Sequence, residues 1–530
     1  MRHLQLKYNI LVLILIICTF TLREINAKGL TLEKVGTEHV YFSYHGKPLL
    51  SFGSMSDFIF YASEDAFDYK KWADWQASHG MNHCRAYLPG SWIHIERITD
   101  ENGGSLKNVL FPFRETESGS RVFDLTRFDQ RYWKRFREQC RYLQSKGIII
   151  DLLMFNGWQL WNYNREVARV NWDGHFFNPK NNINSCTNHL NTDKNKNNRL
   201  RLYHSVADGN TELFEIQKAY FQKIIQVTHD LDNIYYELVH ELAMNYSDWP
   251  KTSQWIEAIA LAVRKKWKSL NPDRAIILAT DGGHLKGFPF NQSGGFPEPG
   301  SEMDWVFTRP YFDVMIFGNQ HHTSNARQWP RKYNKPYVPQ ESRDDTGHSW
   351  SYRIPEMRSH LRKYLWKMMM VKCQQMDIYS KGTRKWFPAE DKPGLPLNYD
   401  PNRWNKFEDD AILLRQFFNQ IVSYSELDFK GHFFISPLGH NLVLSSQKEI
   451  IAYVSSPTGI EGYQYAPQGA QIRLADLPFS DGEYNADFFD PKVGPVGSKK
   501  IRIRNGTTNF RTPDFTDDYV VHIINPFNDK

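Results

Sequence analysis

The stretch Asp129–Met154, DQRYWKRFREQCRYLQSKGIIIDLLM, reads as one helix followed directly by one strand. Apolar side chains fall at Tyr132, Trp133, Phe136, Cys140 and Leu143. That spacing is close to about 3.6 residues, so it paints one face of a helix. Gly147 stands where a helix ends on a left-handed residue, and Ile148–Met154 is then an apolar run of strand length. A helix that stops on glycine and hands over to a buried strand is half of a βα repeat.

Outward from this unit the alternation recurs. Strands are predicted at Leu49–Gly53, Met81–Tyr87, Ile148–Met154, Ile234–Val239, Ala275–Ala279, Val314–Phe317, Tyr337–Pro339 and Met376–Tyr379. Helical periodicity marks Leu213–Val227, Trp255–Trp267 and Met357–Val371 between them. The pattern predicts an α/β fold, a (β/α)8 TIM barrel over residues 28–425, opened by a short β lead-in around HVYFSYHG, His39–Gly46. A doubly wound sheet would alternate similarly, but no glycine-rich phosphate turn follows the first strand. A long insertion, Asn156–Gly209, follows the third strand and is expected to shape the barrel mouth.

After Tyr424 the text changes to short alternating runs at Leu442–Ser445, Ile450–Ser455, Ala470–Leu474, Asn485–Phe489, Lys500–Ile503 and Tyr519–Ile524. Turn residues separate them, which predicts a small antiparallel β-sandwich over 426–530. No proline-rich linker precedes it, so it should pack directly on the barrel.

Residues 1–27 read as a secretory signal: Arg2 and Lys7, the apolar run Ile10–Phe20, then Ala27 as cleavage residue. The run is short for a bilayer span, so secretion or a periplasmic location with no stable membrane span is expected. The net charge of +6 on 530 residues is not gathered into a basic stripe, which argues against nucleic acid as a partner. Beyond Cys18, the cysteines Cys84, Cys140, Cys186 and Cys373 lack zinc-like spacing and read as buried thiols. Aromatic residues make up 15% of the chain, enough to supply flat faces for sugar rings as well as a core.

Two segments carry the chemistry. NIYYELVHE, Asn233–Glu241, is apolar through Val239 and turns polar where the fourth strand should end. KPYVPQES, Lys335–Ser342, ends the seventh strand on Gln340 and Glu341. Polar groups at the C-terminal ends of barrel strands face the active-site mouth. Carboxylates on the fourth and seventh strands can flank one bond, as retaining glycoside cleavage requires at a separation of about 5–5.5 Å. In FGNQHHTS, Phe317–Ser324, His321 and His322 are placed at the sixth strand's mouth. Adjacent strand residues point to opposite faces and no third ligand accompanies them, so neither metal nor cofactor is expected. No HExxH protease motif occurs. Trp158, Trp161 and Trp350 are candidate sugar platforms on loops.

On these segments the chain resembles the clan A glycoside hydrolases, retaining (β/α)8 enzymes that include many cellulases and mannanases. The resemblance implies Glu241 as acid/base, Glu341 as nucleophile, and Arg85, in HGMNHCRAYL, as the arginine supporting the nucleophile. It implies substrate contacts for His240, His321 and His322, and a poly- or oligosaccharide as substrate. One departure matters: the family's asparagine before the acid/base is His240 here. HFFNPKNNIN (His175–Asn184), DGEYNADFFDPKVG (Asp481–Gly494) and DDYVVHI (Asp517–Ile523) resemble a group of bacterial clan A-like proteins whose last module has been labelled collagen-binding. The alternative reading is a non-catalytic carbohydrate- or matrix-binding protein on a degenerate barrel, which the His240 departure favours.

Overall fold

The computed structural model describes residues 29–35, 39–55, 59–60, 69–78, 80–91, 109–160, 172–190, 196–241, 248–282, 285–286, 296–318, 323–340, 358–373, 375–378, 410, 412–421, 424–429, 434–435, 440–455, 469–515 and 517–527. The predicted signal segment lies outside them. Among the described residues no helix is long and apolar enough to cross a membrane.

Eight strands form one sheet: Ser51–Met55, His83–Tyr87, Ile149–Leu153, Ile234–Glu237, Leu278–Asp281, Val314–Gly318, Tyr337–Gln340 and Gln375–Ile378. Their order across the sheet runs from the seventh down to the first and then to the eighth. Every pairing is parallel. The eighth strand lies beside the seventh, so the sheet curls back on itself as a TIM barrel. The second, third, fourth and fifth strands are buried at every position, as parallel strands covered on both faces must be.

The helices form where the periodicity predicts them. Gln130–Ser145 starts on Asp129, whose carboxylate accepts the Arg131 N–H, and the chain leaves it through Gly147 at φ 68°. Thr211–Thr228 and Trp249–Leu270 are capped likewise by Asn210 and Asp248. Each buries one face against the strands.

Side chains alternate in and out along each strand, so the barrel interior is layered. The lower layer is apolar: Ile149, Tyr235, Ile277, Ala279, Val314, Ile316 and Val338 cluster with Leu30 and Phe42 of the lead-in. That lead-in, Leu30–Val35 paired antiparallel with His39–Tyr44, closes the barrel floor, and Phe42 meets Tyr235 at a ring distance of 5.3 Å. One layer up the interior turns charged, with Arg85, Asp151, Glu237 and Asp281. The apolar run predicts a fourth strand as far as Val239. The regular ladder instead ends at Glu237, and beyond it His240 pairs with Asn156 in an isolated parallel bridge.

The C-terminal region is the predicted antiparallel sandwich. Asp428–Phe429, His440–Ser445, Glu449–Ser455, Asp518–Ile524, Gly482–Asp490 and Gly494–Ile503 form a six-stranded sheet in that order, facing Phe434–Ile435, Gln471–Leu474 and Thr508–Arg511. All six predicted strands are present. The two-residue strands and Thr508–Arg511 are too short or too flanked by turns to read from sequence. One face of the larger sheet fills the sandwich core, with Val443, Ile450, Ala452, Phe488 and Val521. The opposite face, with Ile451, Tyr453, Phe489 and Val520, belongs to the barrel's own core. Tyr453 stacks on Trp366 of the helix Arg358–Met370 at 5.9 Å.

A buried charge network lies at this junction. Arg362 donates to Asp518 at 2.9 Å and to Asp517 at 2.6 Å, Lys363 pairs with Asp517, and the Tyr453 hydroxyl donates to Asp518 at 3.1 Å. Asp518→Asn keeps the shape and removes one buried charge opposite a cation. It should cost about 1–3 kcal/mol, seen in calorimetry as a lower melting temperature with barrel and sandwich still melting together. An unchanged melting temperature would refute a stabilising role for the network. Cys84, Cys140, Cys186 and Cys373 are buried thiols, as the sequence suggested.

Candidate active site

Four strands deliver charged side chains to one level of the barrel. Arg85 comes from the second strand, Asp151 from the third, Glu237 from the fourth and Asp281 from the fifth, and none is more than 1% exposed. Arg85 Nε lies 3.6 Å from Asp151 Oδ2, and Arg85 Nη2 lies 3.4 Å from Glu237 Oε2. The same Nη2 is 2.8 Å from His240 Nδ1. Burying carboxylates is expensive unless a cation and hydrogen bonds compensate them, and Arg85 is the cation at the centre of this group.

The Arg85 contact fixes the state of His240. A guanidinium only donates, so Nδ1 must accept and the ring proton resides on Nε2. His240 is therefore a neutral imidazole whose Nε2–H faces Glu241 Oε1 at 3.9 Å. Its ring lies parallel to Tyr87, with 7° between planes and 6.5 Å between centroids. Nδ1 also lies 3.6 Å from Glu237 Oε1 and 3.4 Å from Asp281 Oδ2.

Glu241 sits one step above this cluster and is 8% exposed, where Glu237 is wholly enclosed. Its φ is 49°, the left-handed region that a non-glycine residue adopts at a cost of about 1–2 kcal/mol. Strain of this kind, held by its surroundings, concentrates at functional sites. His240 N–H donates to Phe155 C=O at 3.0 Å, and Gly157 N–H donates to His240 C=O at 2.9 Å. A Cβ on Gly157 would meet the His240 oxygen at 2.7 Å, so only glycine allows the third loop to approach this turn so closely.

Glu237, His240 and Asp281 place donor atoms within 4.8 Å of one another, a spacing that suits a metal ion. The Arg85 guanidinium lies among those atoms and engages Nδ1 itself, so it supplies the positive charge that the carboxylates need. The donor set therefore does not fit a resident metal.

Of the residues named from sequence, Arg85, His240 and Glu241 come together at the barrel mouth. Glu341, His321, His322, Trp161 and Trp350 lie outside the described residues. Trp158 belongs to the 3-10 turn Gly157–Leu160, and its side chain lies outside them too. Asp151, Glu237, Asp281, Tyr87 and Gly157 join the site without having been singled out by the sequence. A signal exists for three of them: a single acid inside an apolar strand, as in IIIDLLM, IYYELV and ILATD, has no place in a barrel wall unless it meets a cation inside.

In the described part of the third loop, residues 172–190, asparagine side chains hold the backbone. The amides of Asn178, Asn181 and Asn182 donate to backbone carbonyls of Trp172, Asp173, His175 and Phe176, winding the segment onto itself. His175 stacks on Trp172 at 5.2 Å, and burial pushes its pKa down to about 3. Trp172 is 3% exposed and packs within the loop.

A parallel eight-stranded barrel with carboxylates gathered at its C-terminal mouth and a packed C-terminal sandwich defines the class. No protein-family model and no curated protein matches the sequence. Solved structures match its fold. One described as a glycoside hydrolase covers 95% of this chain and 98% of its own, with a TM-score of 0.57 and 11% identity. A glycoside hydrolase family 5 structure from Bacteroides vulgatus covers 94% of each chain, with a TM-score of 0.56 and 11% identity. The shared architecture therefore includes the sandwich as well as the barrel.

Proposed function

We propose that the protein is a secreted retaining glycoside hydrolase acting on a poly- or oligosaccharide. The observation that carries this reading is Glu241: a strained, buried carboxyl, 8% exposed, at the mouth end of the fourth strand, above a wholly enclosed arginine–carboxylate cluster. The fold likeness to structures described as glycoside hydrolases supports it.

Glu341 attacks the anomeric carbon while Glu241 gives its proton to the glycosidic oxygen, and the C–O bond to the leaving sugar breaks. Glu241, now a carboxylate, takes a proton from water. The water oxygen attacks the anomeric carbon and releases Glu341. His240 cannot be the acid, because its Nδ1 accepts from Arg85 and its neutral Nε2–H is a poor proton source. It is a donor to a sugar hydroxyl or to Glu241 instead, which fills the place of the family's asparagine with a group of similar hydrogen-bonding capacity.

The test is hydrolysis by the purified protein across a polysaccharide panel, with the first-formed anomer read by proton NMR. Retention of configuration is the expected result, and inversion would overturn the two-step mechanism. No hydrolysis of any substrate, together with no covalent adduct at Glu341 from mechanism-based labels, would favour the binding-protein reading. Secretion rests on the apolar run Ile10–Phe20, and N-terminal sequencing of the exported protein should begin after Ala27.

A further inference from the structure

We propose that Asp281, at the end of the fifth strand, is the positioning residue that holds Glu241 in its working conformation; this rests on the glycosidase reading above. The turn Val239–Glu241 has left the regular ladder, so its geometry must be fixed by contacts from its neighbours. On the third-strand side these are backbone bonds, from His240 N–H to Phe155 and from Gly157 N–H to His240. On the fifth-strand side the Thr280 hydroxyl donates to Val239 C=O at 3.2 Å, and Asp281 grips the turn twice. Asp281 N–H donates to Val239 C=O at 3.1 Å, and Asp281 Oδ2 accepts the Glu241 N–H at 3.1 Å. Asp281 thus brackets the turn, holding the residue before His240 with its backbone and the residue after it with its carboxylate.

That second bond bears on the strained residue itself. Glu241 at φ 49° would relax toward an ordinary conformation if its N–H had no acceptor there, and relaxation would swing the carboxyl away from the mouth. Asp281 is itself rigid. Gly282 N–H donates to Ile316 C=O at 2.9 Å, and a Cβ on Gly282 would meet the Phe307 ring at 2.8 Å, so the sixth strand and a helix fix the end of the fifth strand in place. Asp281 Oδ2 also lies 3.4 Å from His240 Nδ1, next to the Arg85 cluster below. It is 1% exposed.

A displaced acid fails selectively. A leaving group that needs a proton is lost slowly, whereas one that leaves as a stable anion is not. Asp281→Ala should therefore lower kcat/KM for alkyl or sugar leaving groups by roughly 10- to 100-fold, while kcat/KM for a 2,4-dinitrophenyl glycoside of the same sugar stays near the parent value. Asp281→Asn retains an oxygen in the accepting position and should restore most of the loss. Asp281→Ser, which keeps a small polar group on the strand, replaces the alanine variant if that does not fold. An equal fall for both leaving groups, or no fall for either, would overturn the positioning role. Glu241→Gln is measured alongside: if it shows no dependence on leaving group, the acid/base assignment falls, and the Asp281 proposal falls with it. A selective loss in Glu241→Gln without one in the Asp281 variants sinks only the latter.

Discussion

Arg85→Met is expected to destabilise the protein by about 3–5 kcal/mol, the loss typical of breaking a buried ion pair from one side. Methionine fills most of the volume, so the effect would not be a cavity. What is lost is the cation between Asp151 and Glu237, and the donor to His240 Nδ1. These carboxylates sit above an apolar floor sealed by Phe42 and Leu30 and have no route to water from below. Urea denaturation should show the loss as a lower midpoint. The variant should regain part of its stability as pH falls, because buried acids without a counter-charge can take up protons and the folded state then binds more of them than the unfolded state. Adding Glu237→Gln should restore part of the loss, so that the two substitutions are not additive. A loss below about 1 kcal/mol would mean that Arg85 is not the neutralising group, since an uncompensated buried charge costs several times that.

The Arg85 cluster also shows where sequence reading stops. The barrel is legible because its strands are short apolar runs at regular intervals and its helices carry an apolar face, both of which are local patterns. Gly147 and the asparagine and aspartate caps are legible for the same reason. Glu241 is placed by its position at a strand end, and Arg85 by the resemblance to the clan A enzymes. What the sequence does not display is which inward-facing residues meet: Asp151 and Asp281 are 130 residues apart in number yet lie on either side of one arginine and one histidine. The end of the fourth strand differs from expectation: Leu238 and Val239 are apolar and β-prone, yet the regular strand stops at Glu237 and pairing with the third-strand side resumes only as an isolated bridge between His240 and Asn156. The left-handed φ of Glu241 has no sequence signal at all, since glycine or asparagine would ordinarily mark such a position.

That strained glutamate gives the second large effect. Glu241→Gln removes both the proton donated to the leaving oxygen and the base that later activates water, while leaving shape and volume almost unchanged. For a substrate with a sugar leaving group, kcat/KM should fall by roughly 10²–10⁴-fold, the usual contribution of general acid catalysis. A 2,4-dinitrophenyl glycoside departs without a proton, so formation of the glycosyl-enzyme on Glu341 should be nearly as fast as in the parent. Its hydrolysis still lacks a base. The intermediate should therefore accumulate, giving a burst of dinitrophenolate equal to the enzyme concentration, followed by a slow steady state in which kcat and KM fall together. This combination separates the acid/base from its neighbours. Loss of Arg85 should act on stability, and loss of Asp281 should weaken proton donation without abolishing it. Glu237 cannot take over the role, because it is wholly enclosed and faces Arg85. If the glutamine variant shows neither the dependence on leaving group nor the burst, no other described carboxyl on the fourth strand reaches the mouth, and the catalytic acid must be sought on another strand.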